Sequence, residues 1–369
     1  MPHLSEPGTL GNLTLEEERN LQEAWAHLLR LCGSKDICHE DPNHADDFLG
    51  HLEPKSRAEF TKNLWDSILI DHPDTAILRF LRARKWDVGK ASVIIGAGES
   101  VALKDTLTAD EEAFMMQYRS GKSYVRGTDN DNRPIHVVKA RLHDSRKQSA
   151  EAMETYVLHN IETIRIMARE PNDKVCLIFD LGGFGLRNMD FHVVKFLIQI
   201  LETRYPETLG IVLVHNAPLV FWGVWSVIKH WLDPVVASKV SFTSGTRGLL
   251  KFIPKTNLQR SYGGEDNWEY KYVEPVPSEN ATMQSQETKA KIEAERQELI
   301  EQFNLLTAGW VSLEPQSILG KEKNGERNEL IRLLQLNFFK LDSYIRTSTY
   351  YHRVGVVNRQ GDVDFKAAR

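Results

Sequence analysis

The chain is predicted to be a mixed α/β protein in which an all-helical N-terminal lobe precedes an α/β domain and a helical C-terminal extension. Two observations predict this class. Apolar residues recur at helical spacing over residues 13–118, whereas from Ser123 onward short β-branched runs alternate with helical segments. Such alternation is typical of βαβ units and a largely parallel sheet. The predicted boundaries are a disordered segment 1–12, a helical lobe 13–120, an α/β domain 121–264, and a linker with a helical extension 265–369.

Composition and charge limit the class of protein. The 369 residues are 41% hydrophobic, enough for substantial cores, and the formal net charge of −5 argues against a surface that binds nucleic acid. Cys32, Cys38 and Cys176 are too few and too unevenly spaced for a disulfide framework, which indicates a reducing compartment. No segment resembles a signal peptide or a membrane span. We therefore expect a soluble, cytoplasmic protein.

The N-terminal lobe is predicted to contain four helices. Thr14 and Glu17 form a capping box that opens the first helix. The second is expected to begin after Ser56, the third at Pro73 and the fourth after Asp87.

The α/β domain begins with a β-hairpin, in which turn residues 128–133 separate two short β-branched runs. Helices and buried strands then alternate along the chain. They are predicted at a helix 149–169, a strand 175–179 followed by Asp180, a helix 190–204, a strand 211–214 and a short strand 240–242.

The C-terminal extension differs in composition from the α/β domain. Pro275 and Pro277 mark a linker, and helices are predicted over residues 287–303 and 330–344. Residues 321–327 are strongly charged and are predicted to form a loop between these helices. The extension is too apolar in patches to be a free tail, so we expect it to pack on the rest of the protein.

The segment from residue 218 to residue 232 is predicted to be a helix that is apolar on nearly every face. A helix of this length spans ~22 Å, less than the ~30 Å core of a bilayer, so it is not a membrane span. It is either a core helix or a lid over an apolar cavity. Trp222, Trp225 and Trp231 favour the lid, because indole rings prefer the membrane interface.

Motifs of enzymes and metal sites are missing from the sequence. The turn that follows Asp180 is rich in glycine, but it lacks the G-x-G-x-x-G spacing of a dinucleotide site. No G-x-S-x-G, H-E-x-x-H or P-loop motif occurs. Cys32, Cys38, His39 and His44 match no common zinc spacing. We therefore predict no enzymatic activity, no metal and no cofactor.

A basic cluster lies on the third predicted helix, at Arg79, Arg82, Arg84 and Lys85. It is either a solvated helix face or a binding site for a phosphate-bearing headgroup, since clustered guanidinium and ammonium groups bind phosphate.

Several ordered motifs resemble those of the CRAL-TRIO family, and in particular the fungal phosphatidylinositol transfer proteins. The resemblance covers about residues 60–264. The motifs begin at Leu78 (LRFLRARKWD), Arg133 (RP), Tyr205 (YPE), Asn216 (NAP), Trp231 (WLDPVVASK), Phe252 (FIP) and Tyr262 (YGG). The resemblance implies a sheet that forms the floor of a lipid cavity closed by a mobile gating helix. That helix corresponds to residues 218–232, and its gating residues would be Phe221, Trp222, Trp225 and Ile228.

The resemblance also implies a headgroup site. In the transfer proteins an Arg-Lys pair, a Glu and a Lys bind the inositol phosphate, and the matching residues are Arg84, Lys85, Glu207 and Lys239. A threonine of that site is replaced by Val236, a departure that bears on headgroup affinity.

A second departure concerns the cavity, which Val175, Leu177 and Phe179 are implied to line. Members of the family that also carry phosphatidylcholine have hydroxyl residues at the positions of Val175 and Leu177. Methyl groups there argue against phosphatidylcholine and for an apolar, sterol-like second ligand.

The implied function is exchange of one phosphatidylinositol molecule between cytoplasmic membranes, with transient, peripheral attachment to each surface and lipid kinases as a class of partner. One alternative is a lipid-sensing scaffold that presents the lipid to a kinase or acts in a GTPase pathway without transferring it. Another is a carrier of a different hydrophobic ligand such as haem.

Overall fold

The computed structural model describes residues 6–33, 57–97, 111–169 and 172–367. The helices and strands in these ranges are α1 (Leu15–Leu31), α2 (Arg57–Ile68), α3 (Pro73–Ala83), α4 (Val88–Ala97), α5 (Glu111–Arg119), β1 (Ser123–Thr128), β2 (Pro134–Lys139), α6 (Ala150–Met167), β3 (Val175–Asp180), α7 (Phe191–Thr203), β4 (Leu209–His215), α8 (Leu219–Ile228), α9 (Pro234–Ser238), β5 (Val240–Thr243), α10 (Gly245–Leu249), α11 (Gln286–Val311), α12 (Ile318–Ile345) and α13 (Tyr350–Arg353). The predicted fold class, helical parts at both ends and a largely parallel sheet between them, is confirmed.

The chain divides into two compact units, and each is made from two separate stretches. The first combines residues 1–102 with residues 281–346, and the second combines residues 103–280 with residues 347–369. The sequence predicts consecutive segments instead, because composition does not reveal that α11 and α12 join the N-terminal helices.

In the first unit, residues close in sequence fix the helix ends. The backbone N–H of Glu17 donates to Thr14 Oγ1 at 3.2 Å, and the N–H of Thr14 donates to the Glu17 carboxylate at 2.8 Å, so the predicted capping box is present. Pro73 occupies the first turn of α3, as predicted. Ser56, the predicted cap of α2, lies outside the described residues. Residues 6–12, predicted to be disordered, form hydrogen-bonded turns.

The predicted charged loop 321–327 is wrong, because these residues lie within α12. This helix begins after Ser317, whose hydroxyl accepts a hydrogen bond from the Gly320 N–H at 3.1 Å. Most of its charged side chains are exposed on one side of the helix. In sequence they form a charged run like that of a loop, because composition alone does not show the helical face. Arg327 is an exception within residues 321–327, since its side chain is fully buried.

Arg327 forms a buried ion pair with Asp74 of α3. Its two terminal nitrogens donate to the Asp74 carboxylate at 2.6 and 3.0 Å, and the two side chains are 0% and 1% exposed. Trp25 donates to the same carboxylate at 2.6 Å, and the guanidinium also donates to Thr307 at 2.9 Å. Burial alone would raise the pKa of Asp74, but the adjacent guanidinium prevails and lowers it. The pair thus links the C-terminal helices to the N-terminal ones inside one core.

The second unit is built on a five-stranded sheet in the sequential order β1-β2-β3-β4-β5. β1 and β2 are antiparallel, and the other three pairs are parallel. One face packs under the segment 249–270, through Tyr124, Val137, Ile178 and Leu213.

The edge of the sheet at β1 is covered by the C-terminal stretch of the chain. The N–H of Val125 donates to the hydroxyl of Tyr351 at 2.8 Å, and the N–H of Gly127 donates to the carbonyl of Phe365 at 3.2 Å. An uncovered edge strand would present unpaired backbone groups to other chains.

None of the helices within the described residues is long and apolar enough to pass through a bilayer.

Replacing Arg327 with Met should lower the free energy of unfolding by about 3–5 kcal/mol, because it leaves the Asp74 carboxylate buried without its counter-charge. Urea unfolding followed by circular dichroism measures the change. The matched control is Arg332→Met on the same helix, since Arg332 pairs with Glu329 and both side chains are more than half exposed. That variant should unfold almost as the natural chain does. Equal effects of the two substitutions would contradict a stabilising role for the buried pair.

Candidate functional site

The sheet of the second unit presents an apolar face to its connecting helices. Right-handed crossovers between sequential parallel strands place the connecting helices on the same face. Residues that are partners across neighbouring strands also share a face. Two rows of such partners cross this surface, which we call the inner face: Val125, His136, Leu177, Val212 and Val240, and then Val138, Phe179, Val214 and Phe242.

Helix α8 covers part of the inner face with one side and exposes the other. Phe221, Val224 and Ile228 are buried in one cluster with Leu177, Val212 and Val214 of the sheet. In contrast, Leu219 is 90% exposed and Trp222 is 46% exposed. The rings of Trp222 and Phe242 lie 4.8 Å apart, so the exposed indole lies over the sheet edge at β5.

Side chains between the inner face and the helices are incompletely buried. Phe179, Val194 and Ile198 all pack against the cluster under α8, yet each is only partly buried. In α7, a strongly apolar helix, Ile200 alone is fully buried. A close-packed core would bury such residues completely. These side chains therefore keep apolar surface that the protein does not cover, which is the kind of surface an apolar ligand contacts.

The predicted cavity residues separate into two groups. Leu177 and Phe179 pack with the α8 side chains Phe221 and Ile228. Val175 belongs instead to a cluster formed by the end of α6 and residues 350–357. Leu177 and Phe179 thus contact the predicted gating helix, whereas Val175 contacts a different part of the unit.

The implied headgroup residues belong to different units. Arg84 and Lys85 follow α3 in the first unit, where Lys85 has a left-handed φ of 55°. Glu207 and Lys239 are in the second unit, where Glu207 has a φ of 60° in the turn before β4. The Lys239 ammonium donates to the carbonyl of Leu209 at 2.7 Å. Within the second unit, the Lys239 ammonium therefore lies beside the segment that carries Glu207.

Asp180, at the end of β3, is held in a hydrogen-bonded network. One carboxylate oxygen accepts from the hydroxyl of Tyr262 at 2.8 Å and from Arg141 at 3.1 Å, and the other accepts from the N–H of Gly182 at 2.9 Å. Burial raises the pKa of Tyr262, so its hydroxyl stays protonated and remains a donor. These contacts close the glycine-rich turn after β3.

His136 is a polar residue of the inner face that the sequence analysis missed. Its Nε2 atom is buried and has no hydrogen-bond partner within the described ranges. Burial lowers the pKa of His136 to about 4, so the ring is neutral near pH 7. The signal in the sequence is the alternation of β2. His136 lies between Ile135 and Val137 and therefore faces the opposite side of the sheet from them, at a position where an aliphatic residue is usual.

No group of three or more potential metal ligands occurs in the part of the chain that the structure describes. Cys38, His39 and His44 lie outside that part. Cys32 is a free thiol whose pKa is raised by burial.

Comparison with known proteins identifies the family. A family model of the CRAL/TRIO domain matches residues 118–264, and one of the CRAL/TRIO N-terminal domain matches residues 45–93. A CRAL-TRIO domain-containing protein of Schizosaccharomyces pombe is 36% identical over 307 residues, which is 80% of this chain and 68% of that protein. The phosphatidylinositol transfer protein CSR1 of Eremothecium gossypii is 36% identical over 316 residues, which is 81% of this chain and 72% of that protein.

Among solved structures, the crystal structure of Sfh5 is similar with a TM-score of 0.39 and 17% sequence identity, covering 44% of this chain and 62% of that chain. The two family models and the relatives confirm the resemblance found in the sequence. This chain belongs to the CRAL-TRIO family.

Proposed function

We propose that this protein binds one phosphatidylinositol molecule and exchanges it between membranes. The observation that carries the proposal is the position of α8, which buries Phe221 and Ile228 against the inner face while Leu219 and Trp222 stay exposed. The relative from Eremothecium gossypii, which is named a phosphatidylinositol transfer protein, supports the choice of lipid. In this proposal α8 is the gating helix.

The energetics of lipid extraction require such a covered apolar space. Two acyl chains contain roughly 30 methylenes, and at about 0.8 kcal/mol each the bilayer holds them by some 25 kcal/mol. A carrier must offer a comparably apolar interior and exclude water from it. The inner face and α7 supply apolar walls that are only partly buried by protein.

The bonding of α8 supports a helix that can move. Within the described residues, the hydrogen bonds made by residues 219–228 stay between residues 218 and 231. Contacts of α8 with the sheet are apolar and non-directional. Displacing the helix therefore breaks no hydrogen bond to the sheet, and a membrane can replace the lost apolar contacts.

The proposal also covers the membranes, the second ligand and the partners. The protein works at the surfaces of cytoplasmic membranes, to which it attaches transiently through the exposed face of α8. Its second ligand is an apolar, sterol-like lipid, and lipid kinases are the class of partner that would use the delivered phosphatidylinositol. No catalytic step and no cofactor is required.

Vesicle-to-vesicle exchange of labelled phosphatidylinositol tests the function directly. We expect the protein to accelerate exchange. A lipid-sensing scaffold would bind the lipid without accelerating exchange, and a haem carrier would be coloured after purification.

Replacing Lys239 with Ala should weaken phosphatidylinositol binding about 10- to 100-fold, because one charge-assisted contact contributes about 1.5–3 kcal/mol. Lys251→Ala removes the same charge from an exposed position of the second unit and should leave binding unchanged. Binding is measured by titration with labelled lipid, beside thermal melting to verify folding. Unchanged affinity in a folded Lys239→Ala variant would remove Lys239 from the site.

Replacing Trp222 and Trp225 together with Ala should slow exchange several-fold and lower thermal stability only modestly, because Trp222 is 46% exposed and Trp225 is partly buried. Phe221→Ala is the control on the buried side of the same helix, and it should cost about 3–5 kcal/mol of stability. If the double variant loses stability as Phe221→Ala does, and exchange falls only in proportion, α8 is a core helix and not a lid.

The natural chain should not exchange phosphatidylcholine, because Leu177 presents methyl groups to the cluster under α8 and a buried phosphate without donors costs several kcal/mol. The variant Val175→Ser/Leu177→Thr should gain some exchange. Since Val175 packs elsewhere, Leu177→Thr alone should account for most of the gain. Assays with labelled phosphatidylcholine measure both, and efficient exchange by the natural chain would refute the exclusion.

A further inference from the structure

His136 is the one polar side chain in its row of the inner face. Its partners across the neighbouring strands are Val125 and Leu177, and Val212 and Val240 complete the row. Two residues further along β2, Val138 shares the same face. An imidazole ring therefore lies in a row of the inner face that is otherwise aliphatic.

Other polar groups near β1 already have partners. Ser123, opposite Val138 on the adjacent strand, lies 2.7 Å from the hydroxyl of Tyr156 and also donates to Asn160 at 3.4 Å. Asn160 in turn donates to the carbonyl of Tyr156 at 2.7 Å. These groups satisfy one another, whereas His136 Nε2 has no such partner within the described ranges.

Burial differs between the atoms of His136. Nε2 is enclosed, yet the residue as a whole is only partly buried. Part of His136 therefore remains accessible, in the same layer where Phe179 and Ile198 are also partly accessible. An enclosed polar atom without a partner destabilises the empty protein, and a ligand that supplies the partner removes that penalty.

We propose that His136 is the hydrogen-bonding contact for the second ligand, and that this ligand is a neutral lipid whose single polar group is a hydroxyl. The inference rests on the proposed function, because it places the lipid in the space between the inner face and α7 and α8.

The chemistry of the ring selects a hydroxyl. Burial keeps His136 neutral at pH 7, so it has one N–H donor and one acceptor nitrogen. A hydroxyl can donate or accept and so matches either tautomer, whereas a phosphodiester requires several donors. The aliphatic neighbours Val125 and Leu177 supply none, so a hydrocarbon body with one hydroxyl fits the row.

Two pairs of probe lipids isolate the hydroxyl. Cholesterol is compared with cholestane, and octadecanol with octadecane, since the members of each pair differ chiefly in the hydroxyl group. Dissociation constants are measured by equilibrium partition from vesicles of neutral lipid, corrected for the affinity of each probe for the vesicles. For at least one pair, we expect the natural protein to bind the hydroxylated member about 5- to 50-fold more tightly.

The protein variants are His136→Phe, which removes both ring nitrogens, and His136→Asn, which keeps a donor and an acceptor. His136→Phe should abolish the preference for the hydroxyl while the lipid-free protein melts at the same or a higher temperature, because an unpaired polar group has been removed. His136→Asn should keep part of the preference. A purely structural histidine would change stability without changing the ratio of affinities.

Phosphatidylinositol exchange, measured in parallel, separates this inference from the proposed function. If the natural chain exchanges phosphatidylinositol but shows no preference in either pair, or keeps its preference in His136→Phe, His136 is not the contact. If it binds neither hydroxylated probe while exchanging phosphatidylinositol, the ligand class is wrong. If it exchanges no phosphatidylinositol, the proposed function fails, whatever the probes show.

Discussion

The sequential order of the strands constrains what the α/β unit can do. Since each parallel crossover is right-handed, the helices that follow β2, β3 and β4 return on the same side of the sheet. The opposite face is left to the later segment 249–270, which packs it closely. One face therefore receives all the connecting helices, and there the apolar rows, helix α8 and His136, whose Nε2 atom has no partner among the described residues, occur together.

Local chemistry made much of the fold predictable. Thr14 and Glu17 mark a helix start in any context, and the β-branched runs of β3 and β4 identify buried strands before tertiary structure is known. The apolar sequence of α8 likewise predicted a helix, and it left open whether that helix is a core helix or a lid. Its position on the inner face could not be read from periodicity, because residues on almost every side of it are apolar.

What escaped prediction depends on residues far apart in sequence. Arg327 lies in a charged run that resembles a loop, and the counter-charge that allows its burial is Asp74, 253 positions earlier. His136 is similar, since its isolation follows from Val125 and Leu177 on neighbouring strands. Arg84 and Lys239 remain predicted headgroup residues: the basic cluster already offered Arg84 as a possible phosphate contact, and the resemblance pairs it with Lys239. No local pattern relates them, because they belong to different units.

The first unit combines two stretches of chain that are far apart in sequence, so its parts are synthesised at different times. Asp74 leaves the ribosome 253 residues before Arg327, and at about 5–20 residues per second this interval lasts roughly 13–50 s. During that time the helices around Trp25 lack the aromatic and cationic partners that α11 and α12 supply. The sheet strands, all encoded between residues 123 and 243, are complete well before then. The nascent N-terminal helices thus depend on sequence that is synthesised much later to complete their core.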